Sequence, residues 1–311
     1  MRLQILDLDG SLTAQPTLKD RCASAIHLLK DWGPRIRLGC RHGAFRRFED
    51  DLNSRLGAPT KPALTFCGSG DFHHASLALI RRIQEPFNLL VIDKHPDWMR
   101  SVPLMHCGTW VRHAVRLPGL HRLYHVGGDL DFDNGFRWLA PWPELLAGKI
   151  KVIPAIRRFE RGRWQRITHQ PLRVRPDERA LGDRVLGLIQ ADMAELARYP
   201  LYISLDKDVM TVEEAVVNWD SGFLRLEEVK SILDVFVSAA QERLAGMDVV
   251  GDWSAVRLRG LFRKTLDWIE HPTLEVNALD AAATNERLNL RLIDFLAERG
   301  CLPRSGISIC A

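Results

Sequence analysis

Two short polar segments carry side chains of the types that bind metal ions, and each directly follows an apolar run. The first holds Asp93, His95 and Asp97 after the run NLLVI, and the second holds Asp206 and Asp208 after PLYIS. In a β-strand, residues two apart point to the same side, so we expect the members of each segment to converge. Carboxylates crowded in this way need a counter-charge, which a pair of divalent cations supplies.

A third polar segment, GSGDFHH at 68–74, also follows an apolar run. Its glycines permit a tight turn, and His73 and His74 each offer an imidazole ligand. We expect one of these two histidines to join the acids of the other segments at a two-metal site.

The elements that must position these side chains follow from the hydrophobic pattern, in which short apolar runs alternate with longer amphipathic stretches. We predict strands at residues 3–8, 63–67, 88–92, 123–126, 150–153, 201–205 and 247–250. Helices are predicted at 18–32, 75–84, 109–116, 181–199, 226–244 and 288–298. This alternation is typical of a single-domain, three-layer α/β/α fold with a mainly parallel sheet, and we assign it to residues 1–311. Functional groups gather at the carboxyl ends of such strands, where all three segments fall.

Composition narrows the class of protein. An apolar content of 46% is enough for a substantial core, and a net charge of +4 over 311 residues does not favour nucleic acid as a partner. No apolar stretch reaches membrane-spanning length, and the start lacks the apolar core of a signal peptide. The six cysteines are scattered without a CxxC pair, which indicates reduced thiols in a cytoplasmic protein. The Arg-rich stretch at 157–166 is interpreted as a solvated loop.

The order and spacing of the three polar segments resemble the arginase–agmatinase–formimidoylglutamase (ureohydrolase) superfamily over roughly residues 60–255. In that family a GGDH-like turn, a DxHxD segment and an SxDxD segment bind two manganese ions. The resemblance implies an arginase-like fold and two Mn²⁺ ions, with Mg²⁺ or another divalent ion as alternatives. It also implies a homo-oligomer that hydrolyses a linear C–N bond, above all in a guanidino group, to give urea and an amine.

The resemblance further implies ligand sets for the two ions. One ion would be bound by His73, Asp93, Asp97 and Asp206. The other would be bound by His95 and Asp208, with Asp93 and Asp206 bridging the pair. Because Phe72 is inserted into the first motif, either His73 or His74 fits the family histidine. We take His73 as the ligand and His74 as a substrate contact.

Two further positions are implied by the same resemblance. His106, in the segment MHCGTW, resembles a family loop histidine that moves protons beside the departing amine. Asp97 would orient the nucleophile in addition to binding metal. Gly251 stands where the family has a guanidinium-binding Glu, and we predict that the neighbouring Asp252 holds the substrate cation instead.

The substrate itself is left open between two forms. Between Asp97 and His106 the chain has no counterparts of the polar residues that hold the free α-carboxylate in arginases. An arginine side chain within a peptide is therefore an alternative to a free guanidino compound. The segment GGDLDFD at 127–133 is weakly similar to an acidic arginase loop, and we interpret it as a turn.

Two other interpretations compete with this one. Asp7 and Asp9, in ILDLDGSLT, resemble the nucleophile loop of haloacid dehalogenase-type phosphatases, which use one Mg²⁺. Alternatively, the chain is a non-catalytic, ureohydrolase-like binding protein whose site lost its substrate contacts, as Gly251 suggests. The crowded acids argue against the second alternative, because mutual repulsion destabilises such a cluster without cations.

Overall fold

A computed structural model describes residues 1–58, 61–100, 104–128, 138–154, 182–255 and 276–303. The predicted loop at 157–166 and residues 129–133 of the predicted turn lie outside these ranges, as does Cys310. The cysteines within them are free and buried. In the described part of the chain, no helix combines the length and apolar character needed to cross a membrane.

An eight-stranded sheet forms the centre of the described structure. Its strands are β1 (Arg2–Asp7), β2 (Ile26–Leu28), β4 (Ala63–Phe66), β5 (Phe87–Ile92), β7 (Leu120–Val126), β8 (Ile150–Ile153), β9 (Leu201–Asp206) and β10 (Leu244–Val250). Their order across the sheet is β2-β1-β4-β10-β9-β5-β7-β8, and all neighbouring pairs are parallel. Two short strands, β3 (Gly39–Arg41) and β6 (Leu104–His106), pair antiparallel outside this sheet. The prediction of a mainly parallel sheet is confirmed.

Helices and apolar side chains cover both faces of the sheet. The described helices are α1 (Pro16–Arg21), α2 (Gly33–Ile36), α3 (His42–Leu56), α4 (Ala75–Ile80), α5 (Trp110–Ala114), α6 (Trp142–Leu146), α7 (Gly182–Ile189), α8 (Met193–Arg198), α9 (Leu226–Ala239) and α10 (Ala278–Glu298). Alternate residues of β5 enter opposite cores, with Leu90 and Ile92 in one cluster and Leu89 and Val91 in the other. This burial on both faces explains why the sequence of β5 is a continuous apolar run. The prediction of a three-layer α/β/α fold is confirmed.

The predicted helix at 18–32 is wrong beyond its first turns. α1 ends at Arg21, and a 3₁₀ turn at Ala23–Ala25 leads into β2. In β2, Ile26 lies opposite Ile5 of β1 in a parallel pair. The pairing with the sheet edge is a non-local contact that overrides the local helical pattern.

The helices predicted at 75–84, 181–199 and 226–244 are also shorter than expected, and the first ends at Ile80. The helix predicted at 181–199 is interrupted by a 3₁₀ turn at Gln190–Asp192, where the Asp192 carboxylate accepts a hydrogen bond of 2.9 Å from Arg122 of β7. The helix predicted at 226–244 ends at Ala239. Its continuation is broken because Gln241 and Glu242 have φ values of 52° and 58°, which turn the chain into β10.

The helices α2, α3 and α6 and the strand pair β3–β6 were not predicted. In α3 the buried residues Phe45, Phe48, Leu52 and Leu56 recur at helical spacing, a signal that the sequence contains. The pairing of β3 with β6 joins segments distant in sequence and has no comparable local signal.

The order of the strands brings the polar segments together. β4, β10, β9 and β5 are consecutive neighbours, and parallel strands end at the same edge of a sheet. The segments that follow β4, β5 and β9 hold the predicted metal ligands. The fold therefore surrounds one point at this edge with residues from three connections.

Candidate metal centre

The turn after β4 brings His73 close to the tip of β9. The Ser69 hydroxyl accepts a backbone hydrogen bond and caps the 3₁₀ turn Gly70–Phe72, which delivers the histidine. A Cβ atom placed on Gly70 would lie 3.0 Å from Asp206 Oδ2. The glycine therefore permits the turn to approach a carboxylate that a larger residue would displace.

The His73 ring is buried among three carboxylates. Its Nδ1 lies 2.9 Å from Asp97 Oδ2, 3.3 Å from Asp93 Oδ2 and 3.4 Å from Asp206 Oδ2. Carboxylates drawn from two other connections thus meet one imidazole nitrogen. This nitrogen faces the centre of the cluster and is the atom that would bind a metal.

The opposite side of the His73 ring is fixed by a chain of hydrogen bonds inside the sheet. Its Nε2 lies 3.0 Å from the Ser204 hydroxyl, which donates a 2.8 Å hydrogen bond to Asp248 Oδ1. The Ser76 hydroxyl donates to the same oxygen at 2.8 Å. Such partners fix the ring orientation and tautomer of a metal-binding histidine, because an Nε2–H that donates leaves Nδ1 as the ligand atom.

Asp93, His95 and Asp97 converge, but not through strand alternation as expected. β5 ends at Ile92, so all three lie in the loop beyond it. The backbone N–H of His95 donates to Asp93 Oδ1 at 2.7 Å, and Asp97 has a φ of 50°. A tight turn therefore aims these side chains, and Trp110 Nε1 holds Asp97 Oδ2 with a 2.8 Å hydrogen bond.

The tip of β9 supplies the remaining acids. Asp206 is the last residue of the strand, and its Oδ1 accepts the backbone N–H of Asp208 at 3.1 Å, which shapes a 3₁₀ turn. The turn sets Asp208 Oδ2 2.8 Å from His95 Nδ1. The loop after β5 and the turn after β9 therefore meet through a carboxylate–imidazole pair.

Two groups of possible ligands result, and they share one residue. His73, Asp93 and Asp206 form one group, while Asp93, His95 and Asp208 form the other. Within each group the ligand atoms lie within 4.8 Å of one another. Asp97 belongs to neither group, although it contacts His73. Imidazole nitrogen and carboxylate oxygen suit hard or borderline divalent cations such as Mn²⁺ and Mg²⁺, and Asp93 is placed to bridge two of them.

Within the described residues, the four carboxylates of the cluster outnumber the two imidazoles that lie among them. Burial, and then the neighbouring charge of Asp208, raises the pKa of Asp206 well above its usual range. Burial likewise raises the pKa of Asp208, with a further contribution from Asp93. Raised carboxyl pKa values mean that the ionised acids repel one another in a poorly solvated place. Divalent cations remove that repulsion, so the residues fit a metal pair.

The two imidazoles respond to the same acids. Burial alone would lower the pKa of His73, but hydrogen bonds that its ring donates to Asp93 and Asp97, together with the charges of these acids, raise it well above the usual value. For His95, burial is likewise outweighed by Asp208, and the pKa is raised. Each ring therefore carries a proton that a metal ion would replace.

His74 lies on a different side of the turn from the carboxylates. Its fully buried ring packs against Phe45 in the apolar layer, with ring centroids 5.8 Å apart. Burial, followed by the charges of His106 and His73, lowers the pKa of His74 to about 3. The structure brings His73 to the carboxylates, and the substrate contact assigned to His74 stays a prediction.

His106 ends β6, and its own loop orients the ring. The backbone N–H of Gly108 donates to Nδ1 at 3.1 Å. A Cβ atom on Gly108 would lie 3.4 Å from this nitrogen and 3.8 Å from Asp97 Oδ1. His106 thus lies beside Asp97 at the edge of the cluster, and its role in proton transfer stays a prediction.

Asp252 is placed in a buried ion pair. Its Oδ2 lies 2.8 Å from the Lys207 ammonium, and both side chains are fully buried. Its Oδ1 accepts hydrogen bonds from Gln15 at 2.6 Å and Asn289 at 3.3 Å. The Asp252 carboxylate, which the sequence analysis assigned to a substrate cation, is therefore already paired with the Lys207 ammonium.

Asp7 and Asp9, the acids of the phosphatase-like segment, are held by separate structural partners. Asp7 accepts from the backbone of Gly10 at 2.9 Å and lies 3.3 Å from the Lys30 ammonium. Asp9 accepts from the hydroxyls of Ser11, at 2.6 Å, and Ser254, at 2.7 Å. These contacts stabilise the loop after β1 and connect it to Ser254 after β10. Asp7 and Asp9 therefore have structural roles that require no phosphoryl chemistry.

Lys94 and Asp220 were missed by sequence reasoning. The Lys94 ammonium contacts Asp220 Oδ2, and His95 Nε2 lies 3.2 Å from Asp220 Oδ1. Asp220 follows β9 in a loop without regular structure. A partner of this kind cannot be read from the sequence, because it depends on how that loop folds back over the sheet edge.

No protein-family model matches the chain. An uncharacterized protein of Thermotoga maritima is 26% identical over 250 residues, which make up 80% of this chain and 79% of that protein. Formimidoylglutamase from Bacillus subtilis shares 15% identity at a TM-score of 0.49, covering 84% of this chain and 68% of its own. Arginase from Bacillus subtilis shares 14% at 0.48, covering 81% and 78%. Agmatine ureohydrolase of Thermoplasma volcanium shares 16% at 0.47, covering 82% and 71%.

Removal of the shared ligand should abolish metal binding. We expect the wild-type protein to retain Mn²⁺ after dialysis and Asp93→Asn to retain little, because Asp93 belongs to both ligand groups. Elemental analysis by mass spectrometry measures this. The matched control is Asp7→Asn, which changes a buried acid of the same edge bound to Lys30 instead. Equal metal content in the two variants would contradict the site.

The stabilisation by metal should grow with pH. The raised pKa values of His73 and His95 mean that the folded, chelator-treated protein keeps protons that the unfolded chain releases above the usual histidine pKa. In the metal-free protein, the stability that these bound protons contribute is present at low pH and lost as the pH rises. In the Mn²⁺-loaded protein the metal takes the place of the protons, so that stability is not lost. We therefore expect a larger Mn²⁺-induced rise in Tm at about pH 8 than at about pH 6. Differential scanning fluorimetry measures it, and an equal rise at both values would count against the site.

The Lys207–Asp252 pair should be structural. Asp252→Asn leaves a buried ammonium without its counter-charge and should lower the free energy of unfolding by about 3–5 kcal/mol. The double variant Lys207→Met/Asp252→Asn should recover most of that loss, because the amide oxygen still accepts from Gln15. Denaturant unfolding of the Mn²⁺-loaded proteins measures the cycle. An Asp252→Asn protein as stable as wild type would contradict this structural role and would favour the prediction that Asp252 contacts substrate.

Proposed function

We propose that this chain is a metal-dependent hydrolase that cleaves a linear C–N bond of a guanidino substrate to give urea and an amine. The observation that carries the proposal is the meeting of two ligand groups at Asp93, each with one imidazole and two carboxylates. Two hard divalent cations suit such a pair of groups, and Mn²⁺ is the ion we favour. The likeness of the three motifs to those of ureohydrolases supports the choice of reaction.

The first ion would be held by His73, Asp93 and Asp206, and the second by Asp93, His95 and Asp208. When bound, such a pair of cations lowers the pKa of water and stabilises the charge that develops during displacement. The protein keeps the ligands in place beforehand, because turns and hydrogen bonds fix each of them. Preorganised ligands need little rearrangement when the substrate reacts.

Asp97 and His106 have roles that their contacts favour. Asp97 Oδ2 accepts from Trp110 and contacts His73, so this carboxylate is rigid and accepts a hydrogen bond from the attacking water in a fixed direction. Because His106 Nδ1 accepts the Gly108 N–H, the neutral ring carries its proton on Nε2. The Nε2–H would donate a hydrogen bond to the nitrogen of the departing amine, and the proton that this nitrogen gains would come from the attacking water through Asp97.

The substrate approaches beside His95, the ligand with the most exposed side chain. His95 is 33% exposed, whereas the side chains of His73, Asp93, Asp97, Asp206 and Asp208 are at most 8% exposed. A guanidino group at the end of an extended chain reaches such a recessed site, whether it belongs to a free compound or to a peptidyl arginine. Both free guanidino compounds and arginine-containing peptides are therefore candidate substrates.

The proposal predicts urea release that depends on the cluster. Mn²⁺-loaded wild-type protein should release urea from at least one member of a panel of free guanidino compounds and arginine-containing peptides. His95→Ala should lower the rate by at least about 100-fold, because a ligand is lost. A colorimetric urea assay on purified proteins measures the rates.

The control for that assay is Asp7→Asn, which should keep the wild-type rate. A phosphatase would behave in the opposite way, with hydrolysis of p-nitrophenyl phosphate lost in Asp7→Asn and kept in His95→Ala. That pattern would overturn the proposal. Metal-loaded protein that hydrolyses neither class of compound would instead favour a binding protein.

A further inference from the structure

The proposed function requires a group that recognises the substrate cation, and Asp220 has the contacts for this role. Its side chain is 61% exposed and lies beside the cluster, with Oδ1 3.2 Å from His95 Nε2. Asp252, by contrast, is fully buried against Lys207. A carboxylate can bind a ligand only through oxygen that solvent already reaches, and of these two acids that is Asp220.

Asp220 lies where the cluster opens to solvent. His95 presents Nδ1 to Asp208 inside the cluster and Nε2 to Asp220 outside it. The Trp219 ring is half-buried and flanks the same histidine, with ring centroids 5.5 Å apart. A carboxylate and an indole thus both lie beside the partly exposed ligand, at the opening through which a substrate would reach the cluster.

The loop that carries both residues is anchored at several points. Lys94 Nζ donates to the Ser221 carbonyl at 2.9 Å and contacts the Asp220 carboxylate. Asn218 accepts from Ser69 Oγ at 3.0 Å and donates to the Ser254 carbonyl at 2.9 Å. Side chains on an anchored loop meet a ligand without losing much further conformational freedom.

The orientation of Trp219 is also fixed. Its Nε1 donates a 3.1 Å hydrogen bond to Asp71 Oδ1, on the turn that delivers His73. A Cβ atom on Gly70 would lie 3.3 Å from the Trp219 ring, so the indole packs closely against this turn. The ring therefore forms a rigid wall of the opening, suited to lie against a flat cation.

We propose that Asp220, with the Trp219 ring beside it, binds the guanidinium or amidinium group of the substrate and so determines specificity for a cation; this inference rests on the proposed function. A planar cation with several N–H donors pairs with a carboxylate and stacks on an indole. Lys94 does not exclude such a ligand. It contacts Oδ2, and a carboxylate has about four lone-pair positions in all.

The test compares two small probes that differ in charge. Methylguanidinium and the neutral, isosteric methylurea are titrated into the Mg²⁺-loaded protein, and their dissociation constants are measured by ¹H NMR. In Asp220→Asn we expect methylguanidinium to bind about 10-fold or more weakly, and methylurea to bind as in wild type. The variant keeps acceptor and shape, and Asp50→Asn, an exposed acid elsewhere, is the matched control.

Metal content and urea release separate this inference from the proposed function. If Asp220 only positions His95, Asp220→Asn loses Mn²⁺ and both probes weaken together, which overturns the inference. Equal methylguanidinium binding by Asp220→Asn and wild type, or no detectable binding by wild type, also overturns it. Urea release by the wild-type protein would then still support the proposed function, whereas its absence from every guanidino compound would defeat that function whatever Asp220 binds.

Discussion

The structure depends on a concentration of negative charge at one sheet edge. Asp93, Asp97, Asp206 and Asp208 are all buried there. The imidazoles of His73 and His95 contact these carboxylates. Burial is the largest cause of the raised pKa values of Asp206 and Asp208, and repulsion between neighbouring carboxylates adds to it. Either protons or metal cations must compensate that repulsion. The glycine turn, the capped 3₁₀ turns and the Ser204–Asp248 chain all orient ligand atoms, an arrangement that serves a bound cation better than a proton.

The two lysines inside the motifs sharpen this argument. Lys94 and Lys207 each stand between ligands in sequence, yet neither ammonium neutralises the cluster. Lys207 pairs with Asp252 behind the tip of β9, and Lys94 pairs with Asp220 at the opening. The two basic charges nearest in sequence are therefore paired with other acids, which leaves the cluster with the composition of a possible metal site.

The sequence predicts the sheet and the ligand residues because both are encoded locally. Continuous apolar runs identify strands buried on two faces, and the polar residues directly after them must lie at the carboxyl edge. Features that depend on distant contacts could not be found in this way. β2 forms by pairing with β1, and the loop beyond Ile92 brings its acids together through a turn at Asp97. The partner of Asp252 is Lys207, whose ammonium reaches it only because β9 and β10 are neighbours in the sheet.

Burial distinguishes two aspartates near the cluster, since Asp252 is fully buried and Asp220 is exposed. Asp252 is surrounded by Lys207, Gln15 and Asn289, so a substrate cation would have to displace a buried ammonium and leave it unpaired. Asp220 also has a lysine partner, but its exposed oxygens remain hydrated and exchange water for a ligand at small cost. Of these two acids, Asp220 on the loop after β9 is the one that we propose for recognition of the substrate cation.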